Sequence, residues 1–80
     1  MEAPDKIVEA FGLTLKDLRE NAGLSQEKLA EHADLERTFI SWLETGKKQP
    51  TITTIFKVSH ALNITPSEFL LKVQDKIKIG

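Results

Sequence analysis

The chain has 80 residues, 40% hydrophobic and 29% charged, with no cysteine and a net charge of −1. That composition describes one globular domain whose core is small enough to need good helix packing, and it excludes a disulfide framework or a thiolate metal site. No apolar run approaches the ~20 residues needed to cross a bilayer. The opening MEAPDKIVEAFG is too acidic and too short of apolar residues to serve as a secretory signal, so a cytoplasmic protein without a membrane partner is expected.

The punctuation predicts five helices and no strand. From Asp5, read as an N-cap, Ile7, Phe11, Leu15, Leu18 and Ala22 recur at helical spacing. Gly12 interrupts that pattern at a cost of about 1 kcal/mol relative to alanine. Gly23 supplies a left-handed stop. Ser25 then caps a short helix, QEKLAEHA, and Asp34-Leu35-Glu36 turns tightly into a third helix from Arg37 to Thr45, closed by Gly46. After the basic loop Lys47-Lys48-Gln49-Pro50, Thr51 caps a fourth helix with Ile52, Ile55, Phe56 and Leu62 on one face. Asn63-Ile64 turns the chain, and Thr65-Pro66-Ser67-Glu68 forms a capping box for a fifth helix. Phe69, Leu70, Val73 and Ile77 line one side of that helix; Leu71 points elsewhere. Two helices of about eight residues joined by about three residues suggest a helix-turn-helix.

The charge is unevenly placed. Residues 1–36 carry four basic and nine acidic side chains, a net of −5, whereas residues 37–80 carry seven basic and three acidic, a net of +4. Such a split hints at a polyanion-binding face. The third helix fits that hint: Ile40 and Leu43 define its buried side, with Phe39 and Glu44 at the margins. Thr38, Ser41, Trp42 and Thr45 fall opposite, with Arg37 at their edge. Arginine can pair bidentately with guanine, and threonine or serine can exchange hydrogen bonds with base edges. Arg37, Thr38, Ser41 and Trp42 are therefore the candidate base-contacting residues. Gln26, at the start of the preceding helix, and Thr45, Lys47, Lys48 and Gln49, at the end of the third, are the candidate phosphate contacts.

Taken together, LKDLRENAGLSQEKLAEHADL and RTFISWLETGKKQPTITTIFKVSHALNITPSEFL resemble the lambda-repressor-like (repressor/Cro type, XRE) DNA-binding domain from about Leu15 to Leu70. FGLTLKDLRE and LERTFIS most resemble the controller proteins of bacterial restriction–modification systems. The resemblance implies an all-α, compact five-helix domain spanning 1–80, with the helix-turn-helix formed by helices 2 and 3. It implies that Gln26 contacts phosphate and can support a base-reading side chain. Arg19 and Glu44 match a structural ion pair joining the first helix to the third. Two positions depart from the pattern: Glu36 is a poor cap for the third helix, and Trp42 replaces a residue that is commonly polar or small.

The family typically dimerises through its C-terminal helix, here within residues 66–80, placing two recognition helices about 34 Å apart. Phe69, Leu70, Leu71 and Val73 are the candidate interface residues, some of them necessarily core. The expected function is a sequence-specific double-stranded DNA-binding transcriptional regulator, a homodimer on a palindromic operator, with control through protein concentration rather than a small-molecule effector. The alternatives are a helix-turn-helix that binds protein instead of DNA, or the antitoxin of a toxin–antitoxin pair. No enzyme signature accompanies His32 or His60; His32, beside Glu31 and Asp34, reads as a solvated helix-end residue, and neither metal nor cofactor is expected.

Overall fold

The computed structural model describes residues 4–79, which form five α-helices and no strand. These are α1 (Pro4–Asn21), α2 (Gln26–Ala33), α3 (Arg37–Glu44), α4 (Ile52–Ala61) and α5 (Pro66–Ile79). None is long and apolar enough to cross a membrane. Residues 1–3 of the acidic opening lie outside the described segment.

Local chemistry sets most of the boundaries. The α1 helix closes in a Schellman motif: Leu24 N–H donates to Arg19 O at 3.1 Å and Gly23 N–H to Glu20 O at 3.0 Å, with Gly23 at φ 72°. Asp34 (φ 56°) and Asn63 (φ 61°) perform the same reversal after α2 and α4. Ser25 Oγ accepts from Lys28 N–H at 3.0 Å, and Thr51 Oγ1 accepts from Thr54 N–H at 3.1 Å. At α5 the capping box is complete, because Glu68 N–H donates to Thr65 Oγ1 while the Glu68 carboxylate accepts from Thr65 N–H, both at 3.1 Å. Glu36 makes no side-chain cap bond to α3. The cap expected at Asp5 is corrected: α1 already runs from Pro4, which puts Asp5 in the first turn, where its carboxylate accepts from Lys6 N–H.

The core joins Phe11 and Leu15 of α1 to Leu29 of α2, Ile40 and Leu43 of α3, Val58 of α4, and Phe69 and Val73 of α5. The α1 helix lies along α5 on one side and α3 on the other, while α2 bridges α3 and α4. Phe11 and Phe69 stack with ring centroids 5.0 Å apart. The structure divides the α5 candidates: Phe69 and Val73 are spent on this core and leave the candidate interface, whereas Leu70 and Leu71 remain exposed. The apolar face of α4 is divided too: Ile55 and Leu62 pack against the core, which also takes in Thr54, Val58 and Ser59, while Ile52 and Phe56 are 67% and 58% exposed. Thr54 enters the interior because its hydroxyl pairs with Thr51 Oγ1 at 2.9 Å.

Two contacts fix α3 against α1. At Gly12 the helices meet backbone to backbone: an added Cβ would collide with the carbonyl oxygen of Leu43 and lie 2.8 Å from that of Glu44. Gly12 thus interrupts the apolar pattern because only hydrogen fits there. About two turns further along α1, the Arg19 guanidinium donates to both Glu44 carboxylate oxygens, at 2.6 and 3.0 Å, and to Leu24 O at 2.9 Å. Both side chains are nearly buried, 11% and 3% exposed. The hydrogen bond that Arg19 donates to Glu44 raises the Arg19 pKa further above its already high value, outweighing the opposing effect of burial.

Three outcomes follow from these arrangements. Gly12→Ala should destabilise the protein by about 1–3 kcal/mol in urea unfolding, because overpacking outweighs the gain in helix propensity. Glu44→Ala should cost about 3–5 kcal/mol in the same measurement, since it strands a buried guanidinium. Hydrogen bonding to Thr65 lowers the pKa of Glu68, so its capping contribution is full at neutral pH and fades as the pH falls below the ordinary glutamate range of about 4.3. The difference in melting temperature between wild type and Glu68→Gln should therefore hold from neutral pH down to mild acid and narrow only as the pH falls below about 4.3.

Candidate nucleic-acid interface

The two short helices α2 and α3 are joined by Asp34, Leu35 and Glu36, and Leu35 N–H closes the turn on Ala30 O at 2.9 Å. Helices of eight residues are marginal alone, so their geometry is imposed by the core. Ile40, Leu43 and Glu44 point inward and Phe39 is half-buried; Arg37, Thr38 and Trp42 are exposed, and Ser41 is half-buried beside them. The face expected from periodicity is thus assembled on one side of α3. Thr45 caps the helix end, but its hydroxyl already donates to Ser41 O at 2.9 Å.

Gln26 links the two helices. Its Nε2 donates to Glu44 Oε1 at 3.1 Å, and its Oε1 accepts from Arg37 Nη1 at 3.4 Å. A continuous path therefore runs from Arg19 through Glu44 and Gln26 to Arg37. Sequence spacing alone hides that path, because Gln26 and Glu44 stand 18 residues apart.

The basic loop folds back on α3. Gly46 takes a φ of 76°, and Lys47 N–H then donates to Trp42 O at 2.8 Å. This return carries Lys48 Nζ to 5.5 Å from the centre of the Trp42 ring, a cation–π pair. Trp42, 39% exposed, thus supports a cation at the edge of the outward face. Lys47, Lys48 and Gln49 are all exposed on the same loop. Lone motifs gave no sign of this pairing; the left-handed glycine between Trp42 and Lys48 is its one local signal. His32 and His60 are exposed, and among the described residues no group of three or more His, Asp or Glu could hold a metal ion.

A further surface joins one candidate interface residue, Leu70, to apolar residues of α1 and α4. Leu70 lines an apolar depression with Ile7, Val8, Pro50 and Ile55, and the exposed Ile52 and Phe56 of α4 share the helix face of Ile55. Leu71, the next residue along α5, is 58% exposed.

Comparison with known proteins agrees with this geometry. The family profile described as helix-turn-helix matches residues 15–69. Control protein C.MunI of Mycoplasma sp is 42% identical over 65 residues, covering 80% of this chain and 88% of the relative. Control protein C.BamHI of Bacillus amyloliquefaciens is 39% identical over 61 residues, covering 75% of each. The crystal structure of the restriction–modification controller protein C.AhdI from Aeromonas hydrophila superposes with a TM-score of 0.75 at 37% identity, covering 78% of this chain and 94% of that one. The chain belongs to the lambda-repressor-like helix-turn-helix family of DNA-binding transcriptional regulators, alongside the controller proteins of restriction–modification systems.

Proposed function

We propose that the protein binds a palindromic double-stranded DNA operator as a homodimer in the cytoplasm, with α3 in the major groove, and regulates a restriction–modification locus. The observation that carries this reading is the outward face of α3, where Arg37, Thr38, Ser41 and Trp42 stand together between Gln26 and the Lys47–Lys48 loop. Arg37 supplies a planar donor fork for guanine, Thr38 and Ser41 supply hydroxyls, and the Trp42 edge lies against sugar or a thymine methyl. Lys47, Lys48 and Gln49 reach the phosphates beyond the helix end, with Gln26 at the other flank. Thr45 would join them only by exchanging its bond to Ser41 O.

The second copy docks on the surface formed by Leu70, Ile52 and Phe56, each at least 42% exposed. A two-fold axis would pair this patch with itself, burying it and setting the two α3 helices on one face of the duplex. In this reading residues 15–70 form the reading head, the single domain extends over the chain, and 66–80 contributes to pairing. The activity is binding alone, with no catalytic step and no cofactor; the controller proteins among its relatives favour the restriction–modification setting.

Selection from random duplexes should return an inverted repeat. Against that site, Arg37→Ala should cost about 1–3 kcal/mol and relax discrimination at one base pair per half-site. Lys47→Ala or Lys48→Ala should weaken all sequences alike and reduce the salt slope by about one. Unchanged discrimination by Arg37→Ala in competition gel shifts would overturn the readout assignment.

A further inference from the structure

The hydrogen-bond path that ends at Arg37 has a direction. At neutral pH a carboxylate only accepts, and a guanidinium only donates. Glu44 Oε2 takes Arg19 Nε at 2.6 Å, and Oε1 takes both Arg19 Nη2 at 3.0 Å and Gln26 Nε2 at 3.1 Å. Gln26 must therefore turn its amide nitrogen toward Glu44, which leaves its carbonyl oxygen facing Arg37. Reversing the amide would set oxygen against carboxylate at one end and N–H against guanidinium at the other. Both reversed contacts repel, so the amide has one stable polarity.

We propose that Glu44 is a positioning residue for base readout: through Gln26 it fixes the amide polarity that directs the Arg37 guanidinium along the outward face of α3. The inference rests on the assignment of Arg37 to base contact. Arg19 contributes by anchoring the carboxylate, since its third nitrogen, Nη1, is tied to Leu24 O at 2.9 Å. The contact from Gln26 to Arg37, at 3.4 Å, is long for a hydrogen bond. It restrains the direction of an exposed side chain without trapping it, which lessens the rotamer freedom lost when the guanidinium docks on a base. A purely structural ion pair would hold α1 to α3 and leave readout alone. A purely phosphate-binding Gln26 would raise affinity for every sequence equally.

The test compares the Kd for the selected operator with the Kd for operators substituted at single base pairs, with thermal unfolding measured on every variant. Arg37→Ala identifies its base pair by lowering the preference there about tenfold or more. Gln26→Met, which keeps the volume and removes both hydrogen bonds, should lower the preference at that same pair by about three- to tenfold and leave other pairs unchanged. Glu44→Gln should do likewise, yet add no loss of preference in the Gln26→Met background, although its cost to stability persists there. The inference is overturned if Gln26→Met or Glu44→Gln weakens all operators by a common factor with preferences intact. It is also overturned if Glu44→Gln acts equally with and without Gln26. Should Glu44→Gln fail to fold, the preference ratio of Gln26→Met decides alone. If Arg37→Ala alters no preference, the readout assignment falls and the relay with it, a result distinguishable from failure of the relay at an identified base pair.

Discussion

The buried pair between Arg19 and Glu44 is the interaction on which the arrangement of the helix-turn-helix depends. It ties α1 to α3, holds the loop after α1 through Leu24 O, and receives Gln26 from α2. Four segments that would be unstable in isolation are thereby fixed at one point. Removing two charges from water offsets much of what their attraction contributes, and an apolar pair of equal volume could hold the helices as firmly. Such a pair could not orient an amide. The polar solution therefore does something for the outward face that hydrophobic packing cannot.

Around that point the labour is divided cleanly. Ile40 and Leu43 fill the core, and the backbone approach at Gly12 sets how closely α3 may lie on α1. The opposite face carries hydroxyls, a guanidinium and an indole that lie outside the buried core. The net negative charge of the chain conceals this organisation, because the acidic excess lies in residues 1–36 and the basic excess follows from Arg37 onward. The fold brings the Lys47–Lys48 loop beside α3, where local charge rather than net charge meets a polyanion.

Much of the fold was legible in the sequence because caps and stops are local chemistry. Ser25, Thr51, the Thr65–Glu68 box and Gly23 act within a few residues of themselves, and each stands where its side chain or glycine backbone implies. The two faces of α3 were legible for the same reason, since the helical period alone separates Ile40 and Leu43 from Thr38 and Trp42. What stayed hidden depends on partners distant along the chain. Gly12 reads as a defect until the carbonyls of α3 are placed above it. Hydrophobicity points Ile52 and Phe56 inward, but the interior beside α4 accepts Thr54, Val58 and Ser59 instead. The same uncertainty covered α5, where periodicity cannot tell Phe69, which stacks on Phe11, from Leu70, which faces outward.

The close approach at Gly12 has a consequence for how such a protein can acquire new targets. The seating of α3 is decided beneath it, by main-chain contact and by side chains that never face outward. The exposed Thr38 can therefore be exchanged while the helix keeps its height and tilt. On the proposed reading of the α3 face, the scaffold is a socket into which a different message can be written, and the cost of rewriting falls on recognition rather than on folding. Arg37 is the exception, because its neighbour Gln26 is oriented from within. A new message at that position must also suit the amide that the interior presents.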